Sequence, residues 1–282
     1  MILVTSAAGN TGRTMVQKLV EAGLDVLATD INPKVKDLPG IKKAMVGDLT
    51  DLSFIDALMQ EASKVVYIPP LFSAEEALIG QRMVDKAIEH KIEHFVFISV
   101  IHPILTSLLQ HTAKRDVEEY LIVKGMETQC SYTILQPMHY MHNFNPKMVA
   151  ETGEYRIFYD VDSKVGYVAT EDVGEVAVKV LNDPAKHNKA TYELVGTKAY
   201  SPNDLVKMFN QITGKKAVSA YVDVEDFLDQ IQANDIFFRE GFKHLAHSYT
   251  TWGLDGNPNV LTWLLGHEPT SFEQYVENKL NK

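Results

Sequence analysis

A run of small residues near the amino terminus could bind a phosphate group. The apolar stretch 2–5 is followed by the run SAAGNTG, and apolar residues then recur at helical spacing. Small residues between a strand and a helix let the backbone approach a pyrophosphate, and the positive helix start stabilises its charge. The sequence therefore predicts a dinucleotide-binding loop, whose expected binding residues are Thr5, Ser6, Gly9, Asn10, Thr11 and Gly12.

Asp30 ends the second predicted strand, eighteen residues after Gly12. A carboxylate at this place can accept hydrogen bonds from the ribose hydroxyls of an adenosine, and it repels a 2′-phosphate. The expected cofactor is therefore NAD or NADP, with NAD favoured, although Arg13, Lys34 and Lys36 are near enough in sequence to weaken that preference. The alternative is that Asp30 is a plain turn or cap residue.

Asp48 and Leu49 follow the third predicted strand and are expected to bind the adenine half of the cofactor. The Asp48 carboxylate could accept a hydrogen bond from the adenine amino group. The alternative is a helix N-cap, a role for which Thr50 and Asp51 are also suited.

Three later strands end in further candidate binding residues. In a parallel sheet, the ligand crevice lies at the carboxyl ends of the strands. Ile68 and Pro69 end the fourth strand, where the backbone would pass the cofactor, unless the proline only terminates the strand. Ser99 ends the fifth strand and Pro137 the sixth. We expect all four residues to border the cofactor.

The elements that must position these residues alternate along the chain. Short β-branched or aromatic runs are separated by segments with helical spacing, which is typical of a parallel sheet covered by helices on both faces. The sequence therefore predicts an α/β fold with a doubly wound parallel sheet, a Rossmann fold. We expect an NAD(P)-binding domain at 1–150 and a smaller α/β substrate-side lobe at 151–282, some of whose strands could return to the main sheet. The predicted strands are Ile2–Thr5, Asp25–Thr29, Lys43–Val46, Lys64–Pro69, His94–Ser99 and Ser131–Gln136.

Composition restricts the function classes. The formal net charge of −10 and the lack of a Lys/Arg cluster argue against nucleic acid as the main ligand, and no apolar run approaches a membrane span. Cys130 is the only cysteine, which excludes an internal disulfide. His139 and His142 have no third ligand at a supporting spacing, so no metal is expected. The apolar start is too short for a signal peptide, and we expect a cytoplasmic protein.

With these segments placed, the chain resembles the NmrA-like family of atypical short-chain dehydrogenases/reductases over nearly its whole length. The order of the motifs makes the resemblance specific at family level, and it implies an NAD(P)-dependent oxidoreductase. Two departures matter: Ser6 replaces the family's first loop glycine, with a hydroxyl available to phosphate, and Ile31 replaces an arginine that implies NADP in many relatives. The matching segments include the opening loop, Gly47-Asp48, Tyr67–Pro70, His94–Ser99, Lys114, Tyr132–Pro137, Asp172–Glu175, Ser201-Pro202 and Leu265–Pro269.

The resemblance also raises the question of catalysis. Ordinary members of the wider superfamily have a tyrosine four residues before a lysine that binds the nicotinamide ribose. Lys114 matches that lysine, but Gln110 stands in the tyrosine's place, and an amide cannot act as a general acid. His111 could donate the proton, or it could be a surface or capping histidine. Lys114 could instead be a solvated charge or a partner of Glu118, one turn away.

The segment after the sixth strand supplies the last candidates. It should border the nicotinamide, where Tyr140 or His139 could orient a substrate carbonyl; the alternative is a Met/aromatic helix face packed on the core. Two functions follow from the resemblance. The first is a reductase that transfers hydride to a small carbonyl, quinone or aromatic substrate. The second is a non-catalytic NAD(P) sensor that binds a regulatory protein partner; a homodimer is left open.

Overall fold

The computed structural model describes residues 1–71 and 73–281. The described strands are β1 (Ile2–Val4), β2 (Val26–Asp30), β3 (Lys43–Val46), β4 (Lys64–Tyr67), β5 (His94–Ile98), β6 (Tyr132–Pro137), β7 (Glu154–Ile157), β8 (Ala190–Leu194) and β9 (Val218–Tyr221). The first half of the chain contains the helices α1 (Asn10–Glu21), α2 (Leu52–Glu61), α3 (Glu76–Glu89) and α4 (Leu109–Thr128). The second half contains α5 (Pro146–Thr152), α6 (Thr170–Asn182), α7 (Pro184–His187), α8 (Pro202–Thr213), α9 (Val224–Gln230), α10 (Ile236–Trp252), α11 (Asn259–Leu265) and α12 (Phe272–Leu280).

The main sheet has seven strands in the order β3-β2-β1-β4-β5-β6-β8. Strand β1 pairs in parallel with both β2 and β4, and the pairs β2–β3, β4–β5 and β5–β6 are also parallel. The strand order reverses between β1 and β4, so a crevice opens there at the carboxyl ends of the strands. The predicted doubly wound α/β fold is confirmed.

The strands β1, β2, β4, β5 and β6 are buried because they are almost continuous apolar runs. Side chains from β1, β4, β5 and β6 form one core cluster with apolar residues of α2, α3 and α4. Helices α1 and α6 pack on each other; α1 also contacts β1 and β2, and α6 contacts β5 and β6. A Cβ at Gly174 of α6 would lie 2.8 Å from the Lys18 side chain of α1, so glycine permits the close approach of these two helices.

The chain divides into two compact units. The first contains residues 1–104, 110–137 and 170–192, and the second contains 105–109, 138–169 and 193–282. Residues 138–150, which the sequence predicts in the first domain, thus lie in the second unit, whereas helices α6 and α7, beyond residue 151, lie in the first. Within the second unit, β7 and β9 form a parallel pair.

Over residues 1–71 and 73–281, none of the helices combines the length and the apolarity needed to cross a bilayer. In the same residues, no three His, Cys, Asp or Glu side chains are grouped so that they could hold a metal ion.

Candidate functional site

The loop between β1 and α1 approaches the start of the helix unusually closely. A Cβ at Gly12 would lie 2.1 Å from the carbonyl oxygen of Ser6 and 2.6 Å from the Cα of Ala7, both of them backbone atoms that cannot move aside easily. Gly9 is the N-cap residue of α1, and no side chain caps the helix. The loop therefore presents uncapped amides at the positive end of a twelve-residue helix, which favours an anionic group.

Ser6 and Thr5 connect this loop to the segment that follows β4. Ser6 has a φ of +48°, a left-handed conformation that glycine adopts more easily than serine. Its hydroxyl donates to the carbonyl oxygen of Ile68 at 2.9 Å, whereas the sequence predicts that it is available to a phosphate. The Thr5 hydroxyl donates to the same carbonyl and accepts from the Ile68 amide, both at 2.8 Å. The two hydroxyls thus fix the distance between the loop and the end of β4.

The Asp30 carboxylate lies beside the same loop. One oxygen accepts a hydrogen bond from the Ala8 amide at 2.9 Å, and the other accepts from the Asn32 amide at 2.8 Å. Asp30 is therefore a turn residue, as the alternative interpretation has it, and it also contacts the candidate phosphate loop. Ile31 is exposed, and the Arg13 guanidinium donates to the Ala8 carbonyl at 2.7 Å.

Asp51, not Asp48, is the N-cap of α2. The Asp51 carboxylate accepts from the amides of Ser53 and Phe54, and the hydrogen bonds from Ser53 lower its pKa. Asp48 is exposed and accepts from the Thr50 amide at 2.9 Å. The helix-cap alternative for Asp48 is therefore wrong.

A buried carboxylate connects the ends of β5 and β6 to α4. Glu118 accepts a short hydrogen bond from the Ser99 hydroxyl, and the Gln136 amide donates to both of its oxygens at 2.9 Å. Burial raises the pKa of Glu118, while the hydrogen bonds from Ser99 and Gln136 oppose that rise. Pro137, at the end of β6, accepts from the Ile101 amide at 3.0 Å.

Glu118 is consequently not the partner of Lys114. The Lys114 ammonium lies 2.5 Å from a carboxylate oxygen of Glu76, the first residue of α3, and both side chains are buried. The interpretations of Lys114 as a solvated charge or as an i+4 partner of Glu118 are wrong. Sequence reasoning missed Glu76, because an acidic residue in the first turn of a helix is normally exposed there and favoured by the helix dipole.

Several polar atoms near this ion pair have no hydrogen-bond partner among the described residues. They are the Tyr67 hydroxyl, the second carboxylate oxygen of Glu76 and the carbonyl oxygen of the Gln110 side chain. Burial raises the pKa of Tyr67 far above its usual value, and the Glu76 charge contributes to the rise. Burial also raises the pKa of Glu76, which Lys114 opposes.

His111 is buried rather than at the surface. Its Nδ1 lies 3.1 Å from the His102 carbonyl oxygen, to which it donates, and burial lowers the pKa of His111 to about 4. It is therefore a neutral imidazole at pH 7. The surface interpretation is wrong, and the proton-donor hypothesis loses its main support, which was an unperturbed pKa near neutrality.

Tyr140 and His139 belong to the second compact unit. The Tyr140 ring stacks on His142 at 5.0 Å, and His139 contacts Tyr167 and Tyr249 edge-on. Burial lowers the pKa of His139 to about 3. Packing among aromatic rings accounts for these contacts, and a role for Tyr140 in orienting a substrate stays a prediction.

Several known proteins are similar to this chain over nearly its whole length. The model of the NmrA-like family matches residues 1–277. Agroclavine dehydrogenase of Claviceps fusiformis is 23% identical over 99% of this chain and 97% of its own length. The solved structure of an NADPH-dependent quinone oxidoreductase of Escherichia coli, complexed with NADPH, superimposes with a TM-score of 0.78 at 20% identity and 100% coverage of both chains. Citrobacter sp. triphenylmethane reductase, complexed with NADP(H), has a TM-score of 0.78 at 19% identity and 99% coverage of both chains.

Proposed function

The chain belongs to the NmrA-like family, and from this premise we propose that it binds a nicotinamide adenine dinucleotide and reduces a small carbonyl, quinone or aromatic compound. The observation that carries the proposal is the uncapped start of α1, approached so closely by the loop that only glycine fits at Gly12. Two similar structures support the reaction class: an NADPH-dependent quinone oxidoreductase and a triphenylmethane reductase complexed with NADP(H).

Different candidate residues are proposed to bind different parts of the cofactor. The loop from Thr5 to Gly12 would hold the pyrophosphate, and Asp30 would hold the adenosine ribose. Asp48 and Leu49 would border the adenine. The residues proposed for the nicotinamide half are Ile68, Pro69, Ser99, Lys114 and Pro137.

When bound, the cofactor would supply the hydride, so the protein's task is to orient the acceptor in a pocket from which water is excluded. Gln110 carries no acid–base proton, and His111 is neutral near pH 7. We propose that a carbonyl or quinone product therefore takes its proton from water or from a group outside this pair. Lys114 acts by binding and charge rather than by completing a tyrosine–lysine pair.

We propose that NAD is the preferred cofactor, because the Asp30 carboxylate beside the loop would repel a 2′-phosphate. The exposed Ile31 adds no positive charge to attract that phosphate. Titration of the protein with NADH and NADPH, followed by nicotinamide fluorescence, tests the preference. Tighter binding of NADPH, by tenfold or more, would show that Asp30 does not decide the choice.

The cofactor site itself is tested with Gly12→Ala. We expect it to weaken dinucleotide binding at least tenfold, since the added methyl group must separate the loop from α1. Gly125→Ala is the matched control: a Cβ there would lie 2.4 Å from the Tyr132 ring, in the same compact unit but at the far end of α4. Equal affinity of wild type and Gly12→Ala would contradict the proposed loop.

A non-catalytic sensor is the second candidate, and Gln110 in place of a tyrosine favours it. A panel of quinones, aldehydes and triarylmethane dyes separates the two functions. The reductase oxidises NADH or NADPH with at least one acceptor class. A sensor would show no oxidation above background and similar affinities for the oxidised and reduced cofactor.

A further inference from the structure

The proposed function uses Lys114 but leaves unexplained the buried ion pair that joins it, on α4, to Glu76 on α3. Glu76 and Lys114 are separated by 38 residues, yet their charged atoms lie 2.5 Å apart. Glu76 is 1% exposed and Lys114 is 8% exposed. Burying either charge alone is costly, so each side chain depends on the other.

We propose that Glu76 is a positioning residue, which fixes the Lys114 ammonium in place for the cofactor. The proposal rests on the proposed function, in which Lys114 borders the nicotinamide half of the dinucleotide. A lysine has four rotatable side-chain bonds, and holding it in one conformation costs rotamer freedom. A carboxylate anchored at the start of a helix offsets that cost.

No other described group is placed to replace Glu76. On α4, Glu118 is occupied by Ser99 and Gln136, and His111 is neutral near pH 7 because burial lowers its pKa to about 4. On β4, Tyr67 has a pKa raised far above its usual value, so it remains an uncharged phenol. Loss of the Glu76 charge would therefore leave the Lys114 ammonium buried without compensation.

Glu76→Gln tests the proposal, because it keeps the size of the side chain and removes its charge. The variant removes the carboxylate charge that holds the ammonium, so the Lys114 side chain should lose its fixed position. Dinucleotide affinity, measured by fluorescence titration, should then decrease at least tenfold relative to the wild type. Glu75→Gln is the matched control, since Glu75 is the exposed neighbour on the same turn, and it should keep the wild-type affinity.

A double-mutant cycle separates positioning from packing. Lys114→Met should weaken binding at every pH, and adding Glu76→Gln to it should change the affinity less than twofold, since the lysine charge is already absent. A further loss of tenfold in the double variant would overturn the inference. So would a Glu76→Gln variant with the affinity of the wild type.

Glu76→Asp keeps the test decisive if Glu76→Gln does not fold. It retains the charge, and we expect binding within about threefold of the wild type. Binding as weak as that of Lys114→Met would show that side-chain length, not charge, matters, and would overturn the proposal. A wild-type protein that binds no dinucleotide at any pH would instead contradict the proposed function itself.

Discussion

Ser6 combines a strained backbone conformation with a side-chain hydrogen bond that fixes the loop. It adopts the left-handed backbone conformation for which glycine is the usual residue, at φ +48°. Its hydroxyl offsets that strain by donating to the Ile68 carbonyl. The hydrogen bond fixes the loop against β4, so the departure from the family's glycine is compensated within the same residue.

Ser6→Ala and Ser6→Gly separate these two contributions. Alanine loses the hydrogen bond and keeps the strain, so it should destabilise the fold by about 1 kcal/mol. Glycine loses the bond but relieves the strain, which is worth about 1 kcal/mol, so its stability should stay near that of the wild type. Urea unfolding of the three proteins measures the difference. Equal destabilisation by both substitutions would show that the backbone at this position is not strained.

At the scale of elements, a buried histidine connects β5 to β6 at the start of these strands. His94 Nε2 lies 2.9 Å from the Thr133 hydroxyl, which itself donates to the His187 carbonyl at 2.7 Å. The imidazole must therefore donate through Nε2. In its neutral form it accepts from the Ser131 hydroxyl through Nδ1, at 2.8 Å.

Acid should consequently weaken these elements. Burial is the main reason that the pKa of His94 is lowered to about 4, below its ordinary value of 6.5, and the Lys64 and His187 charges add to the shift. Since the unfolded chain binds the proton more readily, the free energy of unfolding is unaffected above about pH 6.5. It decreases as the pH falls towards 4, by about 2 kcal/mol from this residue.

Urea unfolding of wild type and His94→Gln at pH 7 and pH 4.5 measures this loss. The variant should be less stable at pH 7 but should lose less stability on acidification. His247→Gln, at an exposed position of α10, is the control and should follow the wild-type acid profile. An equally steep acid loss in wild type and His94→Gln would assign the effect to other buried groups, such as His111 or His139.

For the whole molecule, the proposed cofactor site lies within the first compact unit. A dinucleotide at a hundred times its Kd should stabilise the protein by about 2.7 kcal/mol, which thermal unfolding detects. Amide hydrogen exchange should locate the effect, with the greatest protection in residues 5–12, 30–32 and 68–70. The segments of β7 and β9 in the second unit should change less, and protection confined to them would contradict the proposed site.

Much of the fold could be predicted because it is encoded locally. Apolar runs of four to six residues, separated by helical spacing, are sufficient to indicate buried parallel strands, and the positions of β1 to β6 agree with those runs within a few residues. The small-residue loop and Asp30 are also local signals, since a strand end and a helix start occur within seven residues of each other. The topology of a doubly wound sheet brings the loop and Asp30 together near Gly12.

The partners of the buried charges could not be predicted in this way. Spacing along α4 suggests Glu118 as the partner of Lys114. In the tertiary structure Lys114 instead forms an ion pair with Glu76, and Glu118 accepts hydrogen bonds from Ser99 and Gln136. Which carboxylate reaches the ammonium depends on the packing of α3 against α4. That packing is set by contacts between apolar side chains far apart in the sequence.

The amino-acid sequence by itself therefore determined the fold class, the family resemblance and the small-residue loop between β1 and α1, because each depends on residues adjacent in the chain. Only the tertiary structure decided the return of residues 170–192 to the first unit, the neutral state of His111 and the ion pair between Glu76 and Lys114. These depend on burial and on distances between remote residues, which one-dimensional spacing does not contain.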